Sequence, residues 1–312
     1  MEAPSRILLG TRPADLLQTR GYKTFVPEAL DWQLKTAISL SQKDAANLLT
    51  SRNSDSKCAV ACGKRLASNS NGRSGSSEMQ HKKIEAVVLD VGHTLVYPSP
   101  QAVAQVLGFE VPTATFFQAL GYAHSNAVRL ALQASRREGH LVSEDARDFF
   151  ANLVSRLCHE AQTGSPSAAL HRALLDQGSS LWSGIFDDAQ AFIDRCRKSG
   201  LAVAVLSNSD GGTNRLLQRC GLGPFDQVFD SSMIGVRKPA RRAFEAAGEA
   251  LGVDLCRCLF IGDSPITDGL GAHRAGMHSL LIRRYATERR HTFALVLGTP
   301  LSSVTTLHDV TL

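Results

Sequence analysis

Three apolar runs of the sequence end in polar side chains that could act in catalysis or bind a ligand. The runs IEAVVLD, LAVAVLS and RCLFIGD end at Asp90, Ser207 and Asp263, respectively. Short apolar runs of this kind predict strands that are buried on both faces, as the strands of parallel sheets are. Because the carboxyl ends of parallel strands lie at one edge of the sheet, where ligands bind, we expect these three side chains to converge.

Two further residues, Lys238 and Asp268, extend this set. Lys238 precedes a proline that opens a predicted helix, and Asp268 lies in the same loop as Asp263, in GDSPITD. Clustered carboxylates repel one another unless a cation joins them, and their oxygens suit Mg²⁺. A hydroxyl, a lysine and backbone amides suit a phosphate group. The five residues together indicate a site for Mg²⁺ and a phosphate.

Strand and helix patterns alternate after residue 83. Besides the three runs above, QVFDSSMIG predicts a weaker strand and HSLLIRR a further one. Helical patterns lie between the strands, in GTNRLLQRCGL, ARRAFEAAGEALG and ITDGLGAHRAG, and glycines close several of them as C-terminal caps. This alternation predicts an α/β fold in which a parallel sheet carries helices on both faces.

One long interval, from Leu95 to Gly200, contains no pattern that we interpret as a strand. Four helical patterns occupy it: TATFFQALGYAHSNAVRLALQASRREG, EDARDFFANLVSRLCHEAQ, PSAALHRALLDQGSSLW and DDAQAFIDRCRKSG. About a hundred helical residues after the first strand predict a separate helical module. We expect the last pattern to return to the sheet as a crossover helix.

The motifs that carry these residues resemble those of the haloacid dehalogenase-like hydrolases, in the subfamily whose helical cap follows the first strand. They are DVGHT from Asp90, LSNSDGG with Ser207, VRKPARRAF with Lys238, and FIGDSPITDGLGAHRAGM with Asp263 and Asp268. Each motif is weak alone, but all four in order, with the helical insert in the right place, are specific. The resemblance covers about residues 83–310. It implies a three-layer, Rossmann-like core of residues 83–97 and 187–312 and a helical cap of residues 98–186.

The resemblance implies a nucleophile and a metal site. Asp90 would attack phosphorus and form an aspartyl-phosphate that water then hydrolyses. Mg²⁺ would be held by Asp90, Asp263 and the backbone carbonyl of Gly92. The cation would offset the charge between the carboxylate nucleophile and the phosphate. The resemblance thus implies a phosphoric monoester hydrolase that acts on a small phosphorylated metabolite.

The resemblance also implies a set of residues that bind the phosphate. Ser207 and Lys238 would bind the phosphoryl oxygens and stabilise charge in the transition state. Asn208 and Thr94 would complete the substrate-binding set, and Thr94 would also support the loop. Asp268 would orient Lys238 or a metal-bound water.

Gly92 departs from the pattern of the family. In most of its phosphatases, the residue two positions after the nucleophile is a second aspartate, which protonates the leaving group and then activates water. Glycine keeps the main-chain carbonyl but loses this acid/base, whose help is worth about 10² to 10⁴ in rate. We therefore expect slow turnover of alkyl phosphates, a preference for leaving groups that need no proton, or an acid supplied by the cap or the substrate. His93 is a candidate, although we favour a loop residue with a local hydrogen bond.

Three alternatives are open. Dehalogenases of this family also lack the second aspartate, but they carry an aromatic residue there and lack the acidic pair, whereas Asp263 and Asp268 favour a metal. A phosphonate hydrolase needs a lysine in the cap, and no lysine occurs between Leu95 and Ile193. A catalytically weakened phosphate-binding or regulatory protein would explain Gly92 but not the retention of the other residues.

The first quarter of the chain has a composition of its own. Residues 1–83 hold 13 Lys/Arg and 7 Asp/Glu, whereas the rest of the chain holds 21 of the total 34 basic and 22 of the total 29 acidic residues. Because Ser, Asn, Gly and Lys dominate its second half, we predict that residues 1–82 are a disordered basic extension. A solvated tail accounts for the charge, so we predict no nucleic-acid partner. Met79 precedes the first strand, and we hypothesise that the natural product begins there.

Location and partners follow from composition. No run approaches the roughly 18 apolar residues that span a bilayer, and the N-terminus does not resemble a secretory signal. The seven cysteines are scattered, which indicates reduced thiols, and the close pairs Cys58/Cys62 and Cys256/Cys258 lack companion ligands at zinc-site spacing. We therefore expect a cytoplasmic protein with no membrane partner. The sequence does not specify an oligomeric state.

Overall fold

The computed structural model describes residues 83–164, 166–286 and 292–312 of the 312-residue chain. The predicted basic extension of residues 1–82, including Met79 and the pair Cys58/Cys62, lies outside the described residues. The predicted strands and helices after residue 83 can all be compared with the structure.

A seven-stranded sheet forms the centre of the fold. In chain order, its strands are β1 (Ala86–Leu89), β4 (Ala202–Ser207), β5 (Gln227–Asp230), β6 (Cys258–Gly262), β7 (His278–Ile282), β8 (Thr292–Val296) and β9 (Thr299–Val304). Their order across the sheet is β5-β4-β1-β6-β7-β9-β8, and every pairing is parallel except that of β8 with β9. The predicted α/β fold with a parallel sheet is confirmed, whereas β8 and β9 were not predicted.

The central strand β1 packs against helices on both faces of the sheet. Val87 and Leu89 belong to the apolar cluster that contains Phe192, whereas Ala86 and Val88 belong to the cluster that contains Phe244. This alternation follows from the two-residue period of a strand, and it explains why the run is apolar at every position. The helices that supply the two layers are α5 (Ala189–Lys198), α6 (Thr213–Arg219), α8 (Arg241–Leu251) and α9 (Gly271–Ala275), while α7 (Ser231–Ile234) follows β5 directly.

Four helices lie between β1 and α5 and share an apolar cluster of their own. They are α1 (Pro100–Leu107), α2 (Thr113–Glu138), α3 (Ala146–Glu160) and α4 (Ala168–Asp176). The fourth predicted pattern of this interval forms α5, which contributes to a core cluster of the sheet. Of the helices in this interval, α1 was not predicted. It begins after Ser99, whose side chain accepts a hydrogen bond from the amide of Ala102, and ends at Gly108 in the left-handed conformation.

The expectation of no strand between Leu95 and Gly200 is wrong. Strands β2 (Val96–Tyr97) and β3 (Gly184–Ile185) pair antiparallel. The segment in which the chain leaves the sheet region therefore lies beside the segment in which it returns. Helices α1 to α4 lie between these two segments in the chain. Two residues are too few to show the alternation by which a strand is recognised in a sequence.

The described part of the chain can be examined for membrane-spanning helices and for disulfides. No helix among them is both long and apolar enough to cross a membrane. The cysteines in this part of the chain, Cys158, Cys196, Cys220, Cys256 and Cys258, form no disulfides with one another.

Candidate active site

The predicted convergence of polar residues at the sheet edge is observed. Asp90 follows β1, Ser207 ends β4 and Asp263 follows β6, and β1 pairs with both of the other strands. All three line one cavity of about 620 Å³, together with Lys238 and Asp268. The parallel register brings the three strand ends to the same edge, as the sequence predicts.

Lys238 links two carboxylates at the bottom of this cavity. Its ammonium lies 2.5 Å from Asp90 Oδ1 and 2.8 Å from Asp268 Oδ1, and its side chain is only 2% exposed. Burial favours the neutral amine, but the carboxylates of Asp268 and Asp90 outweigh burial and raise the pKa of Lys238. Burial raises the pKa of Asp90, while Lys238 acts in the opposite direction. Lys238 is therefore a fixed, permanently charged group beside Asp90.

Asn208 holds the backbone on which Lys238 is carried. Its side-chain Nδ2 donates to the carbonyl of Lys238, and its Oδ1 accepts from the amide of Lys238, both at 2.8 Å. These two bonds join the loop after β4 to the segment before α8. The structure thus places the amide of Asn208, predicted to bind substrate, on the backbone of Lys238.

Three carboxylates of the cavity form a group with the chemistry of a cation site. Asp90, Asp263 and Asp268 each offer an oxygen, and these atoms all lie within 4.8 Å of one another. A compact set of buried carboxylate oxygens is the donor set that Mg²⁺ prefers. Thr94 donates to Asp263 Oδ1 at 3.4 Å, and the guanidinium of Arg284 donates to the carbonyl of Thr94. The residues present therefore fit the predicted metal.

Trp182 covers the position at which the family carries its second aspartate. A Cβ atom added to Gly92 would lie 3.1 Å from Trp182 Cζ3 and 3.3 Å from Cη2. These distances are tighter than most Cβ contacts, so any side chain at position 92 requires the indole to move. Glycine is needed here because of space, since its φ is not in the left-handed region.

His93 is enclosed by rings from the helical insert and from the loop after β7. Its Nδ1 lies 2.6 Å from the hydroxyl of Tyr285, and its ring centroid lies 4.9 Å from those of His124, Phe149 and Trp182. Burial, with a smaller contribution from His124, lowers the pKa of His93 to about 3. The imidazole is thus neutral near pH 7, and its hydrogen-bond partner is 192 residues away in the chain and not local.

The cavity residues from the helical insert were not predicted, and two of them, His124 and Glu144, contact the loop after β6. His124 Nε2 donates to Asp263 Oδ2 at 2.6 Å. Burial works against both charges, but this bond raises the pKa of His124 and lowers that of Asp263 to about 2. The hydroxyl of Ser264 donates to Glu144 Oε1 at 2.5 Å. Removal of Glu144 from water raises its pKa to about 7.

Arg237 and Asp230 were also missed as parts of the site. Arg237 is exposed and lines the cavity. Asp230 ends β5, the weakest predicted strand, and is only 5% exposed. Its carboxylate accepts from the amides of Gly211, Thr213 and Ser232. Asp230 thereby fixes the loop that follows Ser207 and Asn208.

Comparisons with known proteins show which family this chain is similar to. A family model described as haloacid dehalogenase-like hydrolase matches residues 84–276. Phosphatase MT3486 of Mycobacterium tuberculosis is 40% identical over 143 residues, which cover 45% of this chain and 64% of that protein. Phosphoserine phosphatase of Thermus thermophilus is 34% identical over 137 residues, which cover 43% and 55%, respectively. A crystal structure of a dehalogenase with an intermediate complex has a TM-score of 0.49 and 18% identity, covering 73% of this chain and 96% of the other.

The family match extends over more than half of the chain, and the sheet and the strand-end residues agree with it. The chain belongs to the haloacid dehalogenase-like hydrolases, which confirms the family resemblance found in the sequence, while the subfamily with a helical cap stays a prediction.

Proposed function

We propose that this protein is a Mg²⁺-dependent phosphatase that acts on a small phosphorylated metabolite through an aspartyl-phosphate at Asp90. The observation that carries the proposal is the buried contact of Lys238 with Asp90 and Asp268, beside Asp263. A carboxylate nucleophile, a fixed ammonium and a cluster of carboxylates suit a phosphoryl group better than a neutral substrate. The two relatives that are named phosphatases support the same class.

Each residue of the site has a distinct task in this reaction. The Asp90 carboxylate attacks phosphorus, and Ser207 and Lys238 bind the phosphoryl oxygens and stabilise the charge that develops on them. Asn208 and Asp268 keep Lys238 in place through its backbone and its ammonium, respectively. Thr94 supports the nucleophile loop.

The metal would be held by Asp90, Asp263 and the backbone carbonyl of Gly92. When bound, Mg²⁺ offsets the negative charge of the nucleophile and the phosphate. The bond from His124 keeps the carboxylate of Asp263 ionised down to low pH, which is the form that binds a cation.

The helical insert, residues 98–186, acts as a cap over the site in this proposal. His124, Glu144, Phe149 and Trp182 come from this insert and line the same cavity as Asp90. A cap that closes on the bound substrate would exclude water during the attack on phosphorus and would supply substrate specificity.

One observation favours a second candidate, a 2-haloacid dehalogenase. The ring of Trp182 lies at Gly92, so an aromatic group occupies the place at which dehalogenases of the family carry one. In that case Asp90 would attack carbon and displace a halide. The carboxylates Asp263 and Asp268 beside the nucleophile would repel a carboxylate substrate unless a cation were bound, and this favours the phosphatase.

We further place the protein in the cytoplasm, with small molecules and no nucleic acid or membrane as partners. The scattered positions of the seven cysteines in the sequence support this location.

Phosphate release from several esters tests the proposed function. Acetyl phosphate, an aryl phosphate and a series of sugar and nucleotide monophosphates would be assayed with Mg²⁺, with a chelator, and with the variants Asp90→Asn and Asp254→Asn. Asp254 is exposed and does not line the cavity, so its variant is the matched control. We expect metal-dependent release that only Asp90→Asn abolishes. Halide release from 2-haloacids would instead establish the dehalogenase, and metal binding without any turnover would establish a binding protein.

A further inference from the structure

The proposed reaction lacks a proton donor in the usual place. Gly92 has no side chain, and a Cβ atom added there would lie only 3.1 Å from the ring of Trp182. His93 is the neighbouring candidate, but it is enclosed by rings and its Nδ1 lies 2.6 Å from the hydroxyl of Tyr285. An alkyl phosphate needs an acid for its leaving oxygen, so another group must act if such substrates are hydrolysed.

Glu144 is a carboxyl group of the helical insert that lines the cavity. It lies between α2 and α3 and lines the same cavity as Asp90, Ser207 and Lys238. The hydroxyl of Ser264 accepts hydrogen bonds from the amides of Ile266 and Thr267, so its own proton is directed to Glu144 Oε1, at 2.5 Å. A longer contact of 3.5 Å joins Thr267 to Oε2.

The charges that face Glu144 come from two elements. Asp263 and Asp268, on the loop after β6, disfavour its ionised form, and His124, on α2, interacts with its charge. Removal from water is the largest effect and raises the pKa of Glu144 to about 7, against the opposing bond from Ser264. Both protonation states are therefore populated near neutral pH, as an acid/base group requires.

We propose that Glu144, carried by the helical insert, is the general acid and base that replaces the side chain missing at Gly92. This inference rests on the proposed phosphatase function and deepens it. It assigns the site to phosphate esters of alcohols, whose leaving oxygens need a proton.

The two half-reactions then balance. In the first, Asp90 forms a bond to phosphorus, the ester P–O bond breaks, and the leaving oxygen takes the proton of Glu144 to give the alcohol. In the second, the Glu144 carboxylate takes a proton from water, whose oxygen attacks phosphorus as the bond to Asp90 breaks. The products are an alcohol and inorganic phosphate, and both carboxyl groups return to their starting forms.

Glu144→Gln in the full chain tests this role, with Glu160→Gln as the matched control. Glu160 lies at the end of α3, pairs with Arg156 on the surface and does not line the cavity. The value of kcat/KM would be measured for alkyl phosphates and for aryl phosphates of graded leaving-group pKa, because it reports the first, leaving-group-dependent step. We expect Glu144→Gln to lose about 10²-fold on alkyl phosphates and only a few-fold on the best aryl leaving group. Glu144→Asp should recover part of the loss.

The pH profile separates a proton-transfer role from a structural one. The wild-type kcat/KM for an alkyl phosphate should fall as pH rises through about 7, since the protonated acid is lost, and Glu144→Gln should remove this limb. An equal loss for all leaving groups with an unchanged pH profile would overturn the role of Glu144 while leaving the phosphatase intact. If the wild-type protein released no phosphate from any ester, the proposed function would be wrong and this inference would fall with it.

Discussion

The indole of Trp182 lies directly over Gly92, only 3.1 Å from the point at which a Cβ atom would be placed. The absence of the second aspartate is thus accompanied by a filled space. Substitution of Gly92 by aspartate alone would therefore not recreate the site of a phosphatase with the second aspartate. The ring of Trp182, which the helical insert contributes, lies close to the position of the added Cβ atom and would have to move.

Restoring the aspartate should therefore require two changes. Gly92→Asp alone is expected to lower the free energy of unfolding by about 1–3 kcal/mol through overpacking, without faster hydrolysis of alkyl phosphates. In a Glu144→Gln background, Gly92→Asp combined with Trp182→Ala should hydrolyse them about 10²-fold faster than Trp182→Ala alone, since the carboxyl group then has room and no other acid serves the leaving oxygen. Urea unfolding and kcat/KM would be measured for both single variants and the double variant. A fully stable Gly92→Asp protein with no gain in the double variant would contradict this interpretation.

Asn208 is predicted to act on catalysis through Lys238. Asn208→Ala leaves the backbone amide and carbonyl of Lys238 without these partners and frees the loop that carries the ammonium. A loss of about 1–3 kcal/mol of interaction corresponds to roughly 10- to 100-fold in kcat/KM. Asn208→Asp keeps the acceptor and loses only the donor, so a smaller loss is expected. Equal activity of both variants and the wild type would show that the two bonds do not position Lys238.

Mg²⁺ should stabilise the folded protein through the carboxylate cluster. A ligand at a hundredfold excess over its Kd adds about 2.7 kcal/mol, which corresponds to a rise in Tm of about 5–10 °C for a domain of this size. Asp263→Asn should abolish the rise, whereas Asp254→Asn should retain it. Thermal unfolding with Mg²⁺ and with a chelator measures both. The same rise in Asp263→Asn as in the wild type would place the cation elsewhere.

The sheet and the strand-end residues were predictable because each depends on a local pattern. Asp90, Ser207 and Asp263 end apolar runs, and one rule of parallel sheets brings their side chains together. Lys238 and Asp268 were found in the same way, through the loops in which they lie. Strand β9 was missed because its segment, TPLSSV, carries polar residues, Pro300 and no apolar run, whereas the apolar run FALV of β8 was not interpreted as a strand.

The residues that the insert contributes to the cavity could not be predicted in this way. His124 lies on α2, Glu144 lies in the connection between α2 and α3, and Trp182 follows a short helical turn. These positions share no regular spacing in the sequence. Their approach to Asp263, Ser264 and Gly92 depends on how four helices pack against one another and against the sheet. Such packing depends on tertiary contacts between residues that are far apart in the chain. The periodicity of a short stretch of sequence does not indicate these contacts.

Asp230 should control the stability of the loop that follows Ser207 and Asn208. Its carboxylate accepts several hydrogen bonds from the loop, including one of 2.5 Å from the hydroxyl of Thr213. Burial acts to raise the pKa of Asp230, but the bonds from Thr213 and Ser232 outweigh it and lower the pKa below its usual value of 3.8. Asp230→Asn should therefore lower the free energy of unfolding by about 2–4 kcal/mol at pH 7, because buried amides lose their charged partner.

The pH dependence of this loss has a definite sign. A carboxylate whose pKa is lower in the folded state stabilises the protein above the unfolded value of 3.8, and this stabilisation disappears as the pH falls through the folded-state pKa. The difference between the wild type and Asp230→Asn should therefore shrink below about pH 4. Urea unfolding at a series of pH values measures it, with Asp254→Asn as the exposed control. A difference that stayed constant down to pH 3 would mean that the charge of Asp230 does not hold the loop.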